Sequence, residues 1–177
     1  MDYQNTAGGI LMPAASMLAT GRYFGQIVRA GEVIDEFEDD NIIVNEGLNK
    51  LNDVMLFGGA QITAWFLGVF EANYTPVATV TAATITAAST ECTAYAAATR
   101  VAYVPVASAA QVTTNAASRA SFVFNATKTI YGAFLVSASA KSAVTGTLFS
   151  AAQFSTSKAV VSGDELLLTY QFTSSSV

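Results

Sequence analysis

The fold of this chain is decided between Ser121 and Phe172, which reads SFVFNATKTIYGAFLVSASAKSAVTGTLFSAAQFSTSKAVVSGDELLLTYQF. Apolar runs recur along it at short intervals, separated by Ser, Thr, Gly or Lys: Phe122–Phe124, Ile130–Val136, Leu148–Phe154, Val160–Val161 and Leu166–Phe172. Short apolar runs with turn residues between them are typical of antiparallel all-β domains. The stretch therefore predicts most of an antiparallel β-sandwich or of a jelly-roll-like barrel, in a mainly β protein.

One short α-helix is predicted upstream of this body, over about residues 45–57. Asn45 is a suitable N-cap residue, and Gly58-Gly59 follows where a left-handed cap is expected. Apolar residues recur at i, i+3 and i+7 and form one stripe: Leu48, Leu51 and Met55. We expect this stripe to pack against an end or a face of the sheet.

Residues 62–70 (ITAWFLGVF) are apolar on both faces of an extended chain. This pattern predicts a central strand that is buried on both sides, with Trp65 as a core anchor. Gly68 within it marks either a bulge or a close approach of another group to the backbone.

The segment 76–118 is rich in Ala, Thr and Val and carries few charges. Alternation such as Thr84-Ile85-Thr86 favours extended chain. Residues 91–106 predict a strand that ends near Pro105 and exposes three residues on its wetter side: Tyr95, Arg100 and Tyr103.

The composition favours a subunit of an assembly. Of the 177 residues, 52% are apolar and only 12% are charged, against about 25% charged in an ordinary soluble domain. A weakly charged surface is a disadvantage for a free monomer but less so for a subunit that is covered by others. The chain has no cluster of Lys and Arg, which argues against nucleic acid as a partner.

The first twenty residues predict an extended N-terminal arm, followed by a single β-sandwich domain over 21–177. Gly8, Gly9 and Pro13 discourage regular structure, while apolar residues favour packing on a neighbour. The candidate contact residues of the arm are Ile10, Leu11, Met12, Met17 and Leu18. The apolar stretch lacks a basic n-region and is too short to span a membrane, so we expect a protein made and kept in a cytoplasm.

An acidic hairpin is predicted over 22–40, with strands 22–29 and 32–38 joined by Ala30-Gly31. Charged and apolar residues share both faces of the second strand, as expected of an edge or projecting hairpin. Residues 1–40 carry the whole net charge of −5, mostly on the carboxylates of this hairpin, because residues 41–177 hold equal numbers of acidic and basic residues. These carboxylates lack the spacing of a calcium loop and are candidates for contact with a basic partner: Glu32, Asp35, Glu36, Glu38, Asp39 and Asp40.

Nothing in the sequence indicates an enzyme. The chain has no histidine, so neither a Ser-His-Asp nor a Cys-His device can be built, and a Cys/His zinc site is also excluded. Cys92 has no basic neighbour and is expected to be a buried, inert residue. We expect no cofactor, metal or catalytic residues. Seven scattered tyrosines leave a carbohydrate-binding β-module as an open alternative.

Several short motifs lie between residues 41 and 172: Asn41–Asn49 (NIIVNEGLN), Leu51 and Val54, Trp65 and Gly68, Ile130–Leu135 (IYGAFL), Gly146–Ala151 (GTLFSA), Gly163-Asp164 and Thr169-Tyr170. Together they resemble a group of small virion proteins of tailed bacteriophages. The resemblance has a gap over 72–118, and its motifs are structural rather than catalytic.

The resemblance implies a virion structural protein, and within that class we expect a capsid decoration (cement) protein. Such a protein would be assembled in the host cytoplasm, lie on the outer surface of the phage head and bridge neighbouring subunits of the major capsid protein. We expect it to be a homo-oligomer, either a dimer or a trimer. A tail or neck component and a host-surface, glycan-binding module of a fibre stay open.

Overall fold

The computed structural model describes residues 3–5, 11–13 and 17–176, and the chain is mainly β, with 49% strand and 13% helix. Within these residues two antiparallel sheets pack face to face and do not close into a barrel. The predicted β-sandwich with a short helix is therefore confirmed, and the barrel alternative is wrong.

The strands and helices have the following bounds: β1 (Tyr3–Asn5), β2 (Leu11–Pro13), β3 (Met17–Arg29), β4 (Glu32–Asp40), β5 (Ile42–Ile43), α1 (Asn45–Asn52), a π-helix (Asp53–Phe57), β6 (Trp65–Phe70), α2 (Ala82–Ser89), β7 (Val101–Tyr103), β8 (Val112–Thr114), β9 (Ala120–Val123), β10 (Lys128–Val136), β11 (Leu148–Val160) and β12 (Glu165–Ser176). Sheet I has the order β4-β3-β12-β8, and β9 also pairs with β12. Sheet II has the order β5-β11-β10-β6-β7, while β1 and β2 form a separate ribbon.

The main core fills the space between the two sheets. Tyr23 and Leu168 of sheet I meet Leu67 and Leu135 of sheet II there, and all four are buried. A second core covers the outer face of sheet II, where α2 packs: Val44, Phe70, Val80, Ala82, Ile85, Phe134, Val136, Leu148 and Ala151. Strand β6 is therefore an interior strand buried on both faces, as its sequence predicts.

Gly68 lies in β6 directly under the ring of Phe134, where a β-carbon would collide with that ring. The predicted close approach is therefore a side-chain contact across the sheet.

The predicted hairpin is present and forms the edge of sheet I through β4. Ala30 and Gly31 join its strands with φ angles of 51° and 86°. Two successive left-handed residues form the kind of turn whose twist matches that of the flanking strands. The mixed polarity of the second strand follows from its edge position.

Three sequence-based expectations about the strands need correction. Leu148–Phe154 and Val160 belong to one long strand, β11, which ends before Val161. The polar residues Thr173–Val177 predict a frayed tail, but residues 173–176 continue β12 and pair with Met17–Thr20. Residues 17–20 therefore belong to sheet I rather than to an extended arm, because each terminal segment supplies the other's hydrogen-bonding partner.

A second helix, α2, lies where Thr84-Ile85-Thr86 favoured extended chain. Thr81 and Thr84 form a capping box at its start, and the Glu46 carboxylate accepts the Ala82 N–H at 2.8 Å. Ala82 and Ile85 place buried side chains on one face, against sheet II. Capping and burial together override the β preference of threonine.

Candidate interaction surface

The carboxylates of the acidic hairpin are largely paired within the chain. Arg22 donates to Asp40 at 2.7 Å and lies 3.3 Å from Glu38, and these contacts raise its pKa. Lys158 of β11 lies 3.0 Å from Asp35 and 4.4 Å from the centre of the Phe37 ring. The hairpin is thus tied to its own domain, and its charge is partly neutralised there.

Two further hairpin carboxylates have local roles. Buried Asp39 accepts the Ser155 N–H at 2.7 Å, and Glu36 accepts the Gln26 amide at 2.5 Å. Glu32 is exposed at the turn and makes no ion pair among the described residues. At the same turn Val33 and Ile34 are exposed too. The end of the hairpin is therefore more apolar than its acidic sequence predicts.

The predicted arm contacts fall in three places. Ile10 lies outside the described residues. Leu11 and Met12 lie in β2, where their backbones pair with those of Asn5 and Gln4. Met17 and Leu18 lie at the start of β3 and are 64% and 50% exposed.

The most exposed apolar side chains lie elsewhere, at the end of the helix. Met55, Leu56 and Phe57 are 72%, 86% and 85% exposed, and we call these three residues the apolar knob. Gly58 follows with φ 75° and caps the helix in the left-handed conformation, as its sequence predicts.

The expected packing of Met55 is therefore wrong, and the helical geometry explains why. The α-helix ends at Asn52 and continues as a π-helix from Asp53. A π-helix has more residues per turn, which rotates Met55 away from the stripe of Leu48 and Leu51. A sequence signal was present, because three consecutive apolar residues before two glycines cannot all lie on the helix face that packs against the sheet.

An aromatic groove of about 410 Å³ adjoins the knob. Gly47, Leu51 and Val54 of the helical segment line one side of it. Five aromatic side chains from strands of both sheets contribute to the rest of the lining: Trp65, Tyr103, Phe149, Tyr170 and Phe172.

Trp65 is only partly buried in this groove and packs edge-on against Phe149, with ring centres 5.6 Å apart. It thus packs against the main core and also lines an open surface. Burial raises the pKa of Tyr170 to about 12 and also raises that of Tyr103. Both phenols are therefore neutral at pH 7, and the groove is mainly apolar, with Lys50 as the charged residue of its lining.

Three carboxylates outside the acidic hairpin are held in structural ion pairs. Glu71 pairs with Lys128, Glu91 with Arg100, and Asp164 with Arg29, at 2.7–3.0 Å. Cys92 is buried, and burial raises the pKa of its thiol to about 12. Among the described residues no three His, Cys, Asp or Glu side chains are grouped as for a metal ion.

In the same part of the chain, no helix has the length and apolar character needed to cross a membrane. No family model, curated protein or solved structure matches the chain. A proposal about function therefore has to be argued from three surface features of this chain: an apolar knob, an aromatic groove, and an acidic hairpin with an apolar end.

Proposed function

We propose that this chain is a bacteriophage capsid decoration protein, which lies on the outer surface of the head and bridges neighbouring subunits of the major capsid protein. The observation that carries the assembly role is the apolar knob, three adjacent apolar side chains that are at least 72% exposed. Single exposed hydrophobic residues are ordinary, but a contiguous patch marks a surface that another protein covers. The phage assignment is supported by the sequence motifs between residues 41 and 172.

The capsid-facing contact that we propose is the end of the hairpin. Val33 and Ile34 are 51% and 47% exposed there, beside the carboxylate of Glu32. This combination suits a partner surface with an apolar centre and a basic edge. The N-terminal arm would add a second contact through its apolar residues.

Each contact of this kind is small, and the proposed stabilisation depends on the number of contacts made over the whole shell. Apolar burial contributes about 25 cal/mol per Å², so one hairpin end contributes little alone. A subunit that contacts two capsid proteins at once gains from the high effective concentration of the second site. Repetition over the shell would then oppose the outward pressure of packaged DNA.

The aromatic groove favours a second candidate function, a glycan-binding module of a fibre. Partly exposed Trp65 in a concave, mainly apolar site is the type of side chain on which a sugar ring can stack. One feature runs against it: the two tyrosine side chains of the groove are buried and cannot stack on a sugar ring.

The number of copies per particle tests the proposal. Purified virions are separated on a denaturing gel, and the stain of this protein is compared with that of the major capsid protein. Decoration requires a copy number in proportion to the major capsid protein. A number that matches a single ring of subunits overturns decoration in favour of a tail or neck component, and micromolar binding on a glycan array favours the fibre module.

A further inference from the structure

We propose that the apolar knob of one copy inserts into the aromatic groove of a second copy, reciprocally, so that the chain forms a two-fold dimer through its helical segment. This inference concerns a different surface from the hairpin end and stands whether or not the protein decorates capsids.

The placement of the two features favours a reciprocal contact. Leu51 and Val54 line the groove, and Met55, Leu56 and Phe57 protrude at the next residues of the same segment. When two copies meet through this region, each presents a knob beside a groove. A two-fold pairing then uses the same patch on both copies and closes on itself, whereas a knob far from its groove would build an open chain.

The groove has the capacity for this occupant. A dry cavity of about 150 Å³ lined by aliphatic and aromatic side chains is enough to hold a benzene ring. At about 410 Å³, the groove has room for the ring of Phe57 and the side chain of Leu56. Its aromatic lining offers the edge-to-face contacts that a phenylalanine ring prefers.

The surface area that a reciprocal contact would bury is that of a stable interface. Three apolar side chains of this size present roughly 400 Å² to solvent. Two knobs, with an equal area of the surfaces that they cover, come to roughly 1,600 Å², the standard size of a specific protein–protein contact. A knob that inserted in only one direction would bury about half as much, which is below that range.

Charge on the same segment agrees with a two-fold arrangement. Lys50 lines the groove and Asp53 precedes the knob, and neither makes an ion pair within the described ranges. In a reciprocal pair, Lys50 of one copy comes to the side on which the second copy carries Asp53. The contact is then attractive at both ends and selects this partner over a like-charged one.

Sedimentation velocity on the full chain over a range of concentrations tests the dimer. The wild-type protein is expected to sediment as a dimer. The double variant Leu56→Ser/Phe57→Ser is expected to weaken association by about 100-fold or more, because it removes the central apolar anchors. The matched control is Val33→Ser/Ile34→Ser, which makes the same kind of change at the hairpin end and should leave the dimer intact.

A charge exchange tests the two-fold geometry. Lys50→Asp and Asp53→Lys are each expected to weaken the dimer about tenfold through like-charge contacts, and the double variant is expected to restore it. Failure of the double variant to restore association overturns the reciprocal arrangement. A wild-type monomer, or a knob variant that still dimerises, overturns the inference as a whole.

These results are distinguishable from failure of the proposed function. A wild-type monomer that still binds empty shells removes the dimer and leaves decoration in place. A dimer that does not bind shells removes decoration and leaves the inference in place.

Discussion

Arg100 and the apolar knob are opposite exceptions to the rule that charged side chains are exposed and apolar side chains are buried. The side chain of Arg100 is completely buried, although charged groups normally lie in water. Leu56 and Phe57 are more than four-fifths exposed, although apolar side chains normally lie inside. The difference between them is whether the chain itself supplies the partner.

For Arg100 the chain supplies every partner. Its guanidinium donates two hydrogen bonds to Glu91, at 2.8 and 2.7 Å, and two to the carbonyls of Ala138 and Ala143, at 3.0 and 3.1 Å. Glu91 also accepts the Ser142 N–H at 2.8 Å. A buried charge is tolerated when it is paired and hydrogen-bonded in this way, so this exception belongs to the fold.

For the knob, no such partner lies within the described residues. The helical segment ends there, and Gly58 directs the chain away. Exposure of this size gains nothing for the isolated domain, and in the dimer that we propose a second copy covers these side chains. The comparison predicts that substitutions at Arg100 lower the free energy of unfolding, whereas substitutions in the knob weaken self-association.

The largest effect is expected from Arg100→Met. This change leaves the Glu91 carboxylate buried without its counter-charge, which typically destabilises a domain by about 3–5 kcal/mol. Urea denaturation gives the free energy of unfolding. The double variant Arg100→Met/Glu91→Leu should recover much of the loss, because an apolar pair of similar volume is often close to neutral. A single variant within about 0.5 kcal/mol of wild type, the ordinary range for surface substitutions, would contradict this account.

A smaller effect is expected from Asp164→Asn. Buried Asp164 accepts two hydrogen bonds from half-exposed Arg29, at 2.8 and 2.7 Å, and one from the Val161 N–H. Loss of the charge-assisted pair should cost about 1–2 kcal/mol, less than at Arg100 because solvent screens one partner. Asp40→Asn, in an exposed Arg–Asp pair of the same length, is the matched control and should cost little.

The same pair gives a pH dependence. The hydrogen bond from Arg29 lowers the pKa of Asp164 below its usual value. A carboxyl whose pKa is lowered by folding contributes stability above its unfolded pKa, about 3.9, and loses that contribution as the pH falls through the folded value. The stability difference between wild type and Asp164→Asn should therefore be constant near neutral pH and shrink below about pH 4. A difference that grows on acidification would contradict the assignment.

What the sequence could predict depends on how far apart the deciding residues lie. The structure contains the features that local patterns predict: the strands between Ser121 and Phe172, the Ala30-Gly31 turn and the Gly58 cap. Arg100 was expected on a wetter side, since its burial needs Glu91 and the carbonyls of Ala138 and Ala143, which the sequence separates by 9 to 43 residues. No local sequence pattern predicts hydrogen-bond acceptors that lie so far apart in the chain.

The candidate site shows the same division. The acidic hairpin was identified from its composition, but its pairing with Lys158 comes from a strand more than a hundred residues away. The knob was missed because an ideal α-helix places Met55 beside Leu51, whereas the π-helix does not. The groove was missed because it unites side chains of both sheets that are far apart in sequence.

The smallest effect on stability is expected from the knob, and it completes the comparison. Phe57→Ser should change the free energy of unfolding at high dilution by less than about 0.5 kcal/mol, because the ring is already in water. Phe122→Ala, at a completely buried ring of the main core, should cost about 3–5 kcal/mol.

Concentration then separates assembly from folding. A protein that associates only when folded gains stability by mass action, so the Tm of the wild type should rise with protein concentration. The Tm of Phe57→Ser should not, since its knob no longer anchors a second copy. Scanning calorimetry at several concentrations measures both. If the two proteins show the same concentration dependence, the exposed ring has no part in association, and the apolar knob does not differ from Arg100 in the role proposed for it.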